Sequence, residues 1–185
     1  MIFPELHGKR IDLVAIDPAM PARVIDDIDA YSRLPEFFSY LEFAEHKSRS
    51  ETERYYEKLL GRSRGGTGHY WLVQLAGEDK TIGTFGVLDI DARKGMAEIG
   101  YGLSPAYWGH GYFSETMSLV LGHLFGHAGF HRIWAKTQSD NAASIRGLQA
   151  AGFHIEGILR DYYLSQKDGS RHDAVVLAII NDSSA

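Results

Sequence analysis

Polar and apolar residues alternate from Arg10 to Ile16 (RIDLVAI), a period of two that predicts a strand with one face buried. From Pro18 to about Leu60 the period lengthens to that of a helix. Val24, Ile25 and Ile28 fall at i, i+1 and i+4, and Tyr55, Tyr56, Leu59 and Leu60 form a second stripe. Ser50 followed by Glu53 has capping-box spacing, which places a helix start there. Between the two stripes lies SRLPEFFSYLEFAEH, broken by Pro35 and crowded with aromatics. GRSRGGTG, residues 61–68, is too rich in glycine to continue a helix and is expected to be a loop.

Further on, HYWLVQLA, a GEDK turn and TIGTFGVLDI predict a hairpin, and DARKG turns the chain into another strand, MAEIGYGL. Ser114 to about His127 places Met117, Val120, Leu121 and Leu124 on one helical stripe. HRIWAKTQ reads as a strand, and Asn141 to Ala151 as a short helix closed by Gly152. Two last strands, near Arg160–Ser165 and Ala174–Ile180, are joined by the turn QKDGS. Antiparallel hairpins that pass into strand–helix–strand define a mixed α/β fold. The expectation is a mostly antiparallel central sheet of about six to seven strands, with helices on both faces.

The chain's 185 residues, 44% of them hydrophobic, suit one domain over residues 1–185 that needs no metal or disulfide staple. The absence of cysteine removes disulfides, thiol nucleophiles and CxxC redox chemistry, and fits a reducing, cytoplasmic location. A net charge of −5, from 19 Lys+Arg against 24 Asp+Glu, argues against a nucleic-acid partner. No apolar run approaches the roughly 18–20 residues of a membrane span, and MIFPELHGKR lacks the layout of a signal peptide, so no membrane partner is expected.

The chemistry concentrates in EIGYGLSPAYWGHGYFSETMSLVLGHLF, Glu98 to Phe125. A strand ends, Pro105 breaks it, and Gly109, His110 and Gly111 lead into an amphipathic helix. Two glycines let backbone N–H groups converge without a Cβ in the way, and the helix N-terminus adds unpaired N–H groups and a positive dipole end. This is an anion site suited to a pyrophosphate; the plainer reading is a loop whose glycines serve tight packing. A dinucleotide fingerprint fails, because GYGLSP from Gly100 has Pro105 where the third glycine belongs, and there is no GxxxxGK[ST]. His123 and His127 have the i, i+4 spacing of metal ligands, but Leu124 stands where HExxH needs glutamate. A solvated or helix-capping role is expected for them, and no metal site.

Glu-Ile-Gly-Tyr at 98–101, Pro-Ala-Tyr-Trp-Gly-His-Gly-Tyr-Phe-Ser-Glu at 105–115, Asp-Asn-Ala-Ala-Ser at 140–144, Ala151-Gly152-Phe153 and Glu156-Gly157 occur in order. Together they resemble the GNAT-superfamily N-acetyltransferases of the RimJ/RimL type, over nearly the whole chain. The resemblance implies a GNAT-type sheet and acetyl-CoA as co-substrate, lying between two strands that splay apart, MAEIGYGL and HRIWAKTQ. It implies that the N–H groups of Gly109, His110, Gly111, Tyr112 and Phe113 hold the pyrophosphate. In the family pattern [Gln/Arg]-x-x-Gly-x-[Gly/Ala], Gly111 matches, Trp108 replaces Gln/Arg, and Phe113 replaces the small last residue, so its side chain has to point away from the phosphates. The pantetheine arm pairs by analogy with the backbone of Ile99 to Leu103, with an N–H near Leu103 as an oxyanion donor. Asn141 matches a cofactor contact and is also a helix cap. Ser144 matches a hydroxyl serving the sulfur, and otherwise is an ordinary first-turn serine. Glu98 matches a glutamate that takes the amine proton through water, and otherwise is a surface charge. Some relatives use a carboxylate after the Glu-Gly pair, where this chain offers Asp161, Tyr162 and Tyr163.

The resemblance further implies an amine acceptor that enters beside Pro18 to Gly66 and roughly Arg160 to Asp173. Asp26, Asp27, Asp29, Glu36, Glu42 and Glu45 there would attract a cationic amine, or are the solvated face of a helix. The leading expectation is acetylation of a peptide or protein N-terminal α-amine. The alternatives are a small amine such as an antibiotic, polyamine or amino-acid derivative, or a CoA-binding module without turnover. An apolar surface on the last strand would allow a homodimer.

Overall fold

The computed structural model describes residues 3–65 and 68–181. The chain runs β1 (Leu6–His7), β2 (Ile11–Ala15), α1 (Ala22–Ser32), a 3-10 turn (Pro35–Phe38) and α2 (Arg49–Arg64). It continues β3 (Gly68–Leu75), β4 (Lys80–Asp91), β5 (Met96–Leu103), α3 (Tyr112–Gly126), β6 (Arg132–Gln138), α4 (Ala142–Ala150), β7 (His154–Leu164) and β8 (Arg171–Ile180). One eight-stranded sheet has the order β1-β2-β3-β4-β5-β6-β8-β7. Every neighbouring pair is antiparallel except β5 and β6, whose connection crosses over through α3. The strand beyond the expected six to seven is β1, whose two residues are too few to give an alternation signal.

Strand alternation supplies both faces of the sheet. On β3, Trp71 and Val73 join a core with Met117, Val120 and Leu124 of α3 and Leu148 of α4. Tyr70 and Leu72 join a second core with Val24, Ile25, Ile28 and Tyr31 of α1 and Tyr56 and Leu59 of α2. The predicted helical stripes are therefore the buried faces, and helices cover both sides of the sheet except at β7, which is exposed along most of its length.

Several boundaries differ from those expected. The cap of α2 is Ser48, not Ser50: the Glu51 carboxylate accepts the Lys47 N–H at 2.8 Å, while Glu53 pairs with Arg49 one turn away. The same helix runs through Gly61 to Arg64, because tertiary bonds hold its last turn. Arg62 donates to the Tyr70 hydroxyl at 2.8 Å, and the Tyr70 N–H donates to Ser63 at 3.2 Å. Residues 66 and 67 of the expected loop lie outside the described residues. The strand placed near Arg160 begins at His154, where a register shift at Gly157 breaks the alternation. His123 is buried beside Phe3 rather than solvated, whereas His127 closes α3 as a capping residue.

Candidate active site

Strands β5 and β6 pair only through Met96–Arg132, Ala97–Ile133 and Glu98–Trp134. Beyond Glu98 each stays bonded to its other neighbour, β5 to β4 and β6 to β8, so a gap opens between them. The Ser104 N–H donates to the Ile82 carbonyl at 2.7 Å, and the two-residue alternation of an antiparallel ladder then turns the peptide groups of Tyr101 and Leu103 away from β4, into the gap. Accordingly the Leu103 carbonyl accepts the Trp108 indole N–H at 2.7 Å, which ties the loop after β5 to the strand's end. The free edge of β5 can take an extended ligand as an added strand.

At the open end of this gap the chain turns into α3. Gly109 and Gly111 have φ of 76° and 79°, the left-handed region that glycine enters without a Cβ penalty. Gly111 caps α3 without a side chain, so the N–H groups of the first helical turn stay directed outward. The loop is anchored from 100 residues away: Arg10 donates to the His110 carbonyl at 2.9 Å and to Glu115 at 2.8 Å. The Arg10 backbone N–H also reaches Glu115, at 2.7 Å. Burial raises the Glu115 pKa, but these bonds outweigh it and hold the carboxyl below its ordinary range. A recess of about 330 Å³ lined by Ser114, Ser118, Leu121, Ala150 and Ala151 runs beside the cradle between α3 and α4.

Phe113 points away from the cradle. Its ring packs on Tyr101 (centroids 4.7 Å apart) and lies over Gly147, where a Cβ would come within 2.8 Å of it. The small residue missing from position 113 is thus matched by a glycine on α4. The Tyr101 hydroxyl in turn lies 2.7 Å from the Ser144 hydroxyl, and burial pushes its pKa to about 12, so it stays protonated. Asn141 caps α4, its Oδ1 accepting the Ser144 N–H at 3.1 Å. The capping role is therefore realised, and the carboxamide NH₂ is a separate donor.

Glu98 projects from the opposite face of β5, since Ala97, Ile99 and Leu103 line the core beneath α3 and α4. Glu98 and Ser144 therefore sit toward opposite faces of the sheet, Glu98 at Lys136 and Ser144 at Tyr101. The Glu98 carboxylate is 3.5 Å from the Lys136 ammonium. Burial raises the Glu98 pKa, with Lys136 pulling against it. Burial and the Glu98 charge also push the Tyr163 hydroxyl up. This face is closed by a clasp: the Gln166 N–H donates to the Glu42 carbonyl at 2.8 Å, the Leu164 N–H to the Glu42 carboxylate, and Lys167 to the Phe38 carbonyl at 2.8 Å. The Phe37 ring lies where a side chain on Gly102 would be.

Leu103, Trp108–Phe113, Asn141 and Ser144 thus gather at the open end of the gap, with Glu98 at its closed end. Sequence reasoning missed Arg10, Tyr101, Lys136 and Gly147. Tyr101 lay within a quoted motif and Gly147 within the predicted helix from Asn141 to Ala151, but their roles depend on packing. Arg10 and Lys136 gave no local signal, because their partners are distant along the chain. Among the described residues no three His, Cys, Asp or Glu side chains form a group that could hold a metal, and no helix is long and apolar enough to cross a membrane.

A sheet with one parallel pair that splays open, beside a glycine-turned helix N-terminus, is the arrangement that the sequence resemblance implies. The chain matches the family described as Acetyltransferase (GNAT) domain over residues 21–154, and it belongs to that family. It is 32% identical over 128 residues to the Bacillus licheniformis protein named uncharacterized N-acetyltransferase p20, covering 69% of this chain and 72% of that one. Its fold is similar to that of spermidine N-acetyltransferase from Vibrio cholerae in complex with CoA and spermine. That likeness has a TM-score of 0.76 at 19% identity, and covers 94% of this chain and 96% of that one. It is similar also to RimL, a ribosomal L7/L12 alpha-N-protein acetyltransferase, with a TM-score of 0.77 at 20% identity, over 96% of this chain and 94% of that one. The chain is accordingly a GNAT-type N-acetyltransferase.

Proposed function

We propose that the protein transfers the acetyl group of acetyl-CoA to the α-amine of a peptide or protein N-terminus, by direct attack in a ternary complex, as in the RimJ/RimL branch. The observation that carries the cofactor part is the continuity of the gap with the glycine cradle. Backbone N–H groups line both, and a Cβ at Gly111 would approach the Arg10 guanidinium to 3.4 Å. These features fit acetyl-CoA. The N–H groups of Gly109, His110, Gly111, Tyr112 and Phe113 would hold its pyrophosphate, and the peptide groups of Tyr101 and Leu103 its pantetheine arm. Bound there, acetyl-CoA supplies an activated thioester. The Leu103 N–H is the donor for the carbonyl oxygen, Ser144, oriented by Tyr101, serves the departing sulfur, and Glu98 takes the amine proton.

The charges around the acceptor face support an α-amine over a polycation. Asp26 is paired with Arg49, Asp27 with Lys80, Asp29 with Arg33 and Glu45 with Lys47. Glu42 is used by the clasp and Glu98 by Lys136. A polyamine needs several uncompensated carboxylates; of the six acids here four are ion-paired and Glu42 accepts a backbone N–H, which leaves Glu36 alone. Tyr40, Phe43 and Leu164 instead give this side an exposed apolar rim suited to peptide side chains. Thiol release from acetyl-CoA with a panel of free-amine peptides, spermidine and amino-acid amides tests the reading. Release with peptides above all other acceptors is expected. Release with small amines alone would overturn the peptide assignment.

A further inference from the structure

We infer that Lys136 is a positioning residue for acetyl transfer: its ammonium holds the Glu98 carboxylate at the gap and locks Tyr162 beside it. This rests on Glu98 being the proton acceptor proposed above. Lys136 follows Trp134 by two residues on β6, so both project from the face that carries Glu98. Its Nζ lies 3.5 Å from Glu98 Oε1, 4.9 Å from the centre of the Trp134 ring and 4.6 Å from that of Tyr162, and it donates to the Tyr162 hydroxyl at 2.5 Å. The ammonium is thus enclosed by two aromatic faces, a phenol oxygen and one carboxylate, with side-chain exposure of 16% for Lys136 and 15% for Glu98.

Two structural features are arranged around this contact. Strand β7 loses register with β8 between Leu159 and Tyr163, and Asp161 there has φ of +53°. A bulge of this kind re-aims a side chain, and here it delivers Tyr162 to Lys136. The distortion is held from β8, where the Asp173 carboxylate accepts the Asp161 N–H at 2.9 Å and Arg171 donates to the Asp161 carbonyl at 3.3 Å. On the other side, Glu98 is the last β5 residue paired to β6, so its carboxylate stands where the gap begins. The groups that face Glu98 are Lys136 from β6, Tyr163 from β7 and Asp89 from β4. Lys136 is the cation among them. Without it a buried carboxylate beside Asp89 takes up a proton more readily and ceases to be a base.

The test measures kcat/KM against pH by thiol release, with a tetrapeptide bearing a free α-amine as the probe. A ¹³C NMR titration of the Glu98 carboxyl, identified by its loss in Glu98→Gln, accompanies it. In the unmodified protein the acidic limb of the profile follows Glu98, and it vanishes in Glu98→Gln. In Lys136→Gln the limb and the NMR titration both move up by about one pH unit or more, kcat/KM at pH values below the original limb falls about tenfold, and acetyl-CoA affinity is unchanged. Lys136→Arg, which keeps the charge, retains the original limb. A limb that belongs to Glu98 yet does not move in Lys136→Gln overturns the inference alone. An unmoved NMR titration overturns it whether or not the probe is turned over. A limb that survives Glu98→Gln instead overturns the role of Glu98 as the base.

Discussion

The two sides of the gap are built by different means. The side proposed for the cofactor is built mainly from one run, Glu98 to Glu115, in which a strand edge, two left-handed glycines and a helix N-terminus present backbone N–H groups, with Asn141 and Ser144 of α4 beside it. The acceptor side is assembled from β5, β6, β7 and the segment before α2, and its parts are side chains: Glu98, Lys136, Tyr162, Tyr163 and Glu42. Backbone donors need only the right local conformation. Ion pairs and clasps need distant segments to be placed within a few ångströms. The first side therefore tolerates change at most side chains but not at its glycines, and the second is tuned one residue at a time.

The largest effect is expected at the point where the cofactor side depends on a single backbone angle. Gly111→Val puts a β-branched residue at φ of 79°, with the Arg10 guanidinium 3.4 Å from its Cβ. The loop must change conformation, and acetyl-CoA affinity should fall by about 100-fold or more. Fold stability should drop by only about 1–2 kcal/mol, the ordinary cost of a left-handed L-residue. Calorimetry and a thermal melt check the two parts. Retained affinity would mean that backbone at Gly111 is not the phosphate cradle, and the contrast between the two sides would dissolve.

A smaller effect is expected from Ser144→Ala. Turnover should fall about tenfold while acetyl-CoA affinity stays within about twofold, because the hydroxyl is asked to act on the sulfur and not to bind it. Tyr101→Phe, which removes the 2.7 Å partner, should reproduce part of that loss. Steady-state thiol release measures both, and unchanged turnover in Ser144→Ala would remove Ser144 from the mechanism.

The smallest effect is expected at the arginine that reaches the cofactor side from β2's start. Arg10→Gln removes the bonds from the guanidinium to the His110 carbonyl and to Glu115, but leaves the backbone N–H bond. A stability loss of about 1 kcal/mol and a several-fold weaker affinity for acetyl-CoA should follow. An affinity loss as large as that of Gly111→Val would show that the cradle is not locally encoded after all.

The same contrast explains how much could be read from the sequence. The stripes of α1 and α3, the hairpin of β3 and β4, and the glycine turn from Trp108 to Phe113 into α3 are local patterns, and each was legible. Phe113 was legible as a departure, but not its resolution, because the glycine that receives its ring lies 34 positions on, at Gly147. Two α2 boundaries were misplaced for a similar reason. Ser48 and Ser50 both precede a glutamate at capping distance, and only the fold selects Ser48; Gly61 sits in a helix whose end is held by Tyr70 of the next strand. Lys136 gave no signal, since its contact with Glu98 follows from the parallel register that sets Trp134 beside Glu98.

The gap between β5 and β6, with its glycine cradle, is the proposed acetyl-CoA site. It is tested most directly by calorimetric titration of acetyl-CoA into the purified protein. Saturable binding of one acetyl-CoA per chain, blocked by prior addition of CoA, is expected. An absence of binding heat at several temperatures, with no competition by CoA, would contradict it.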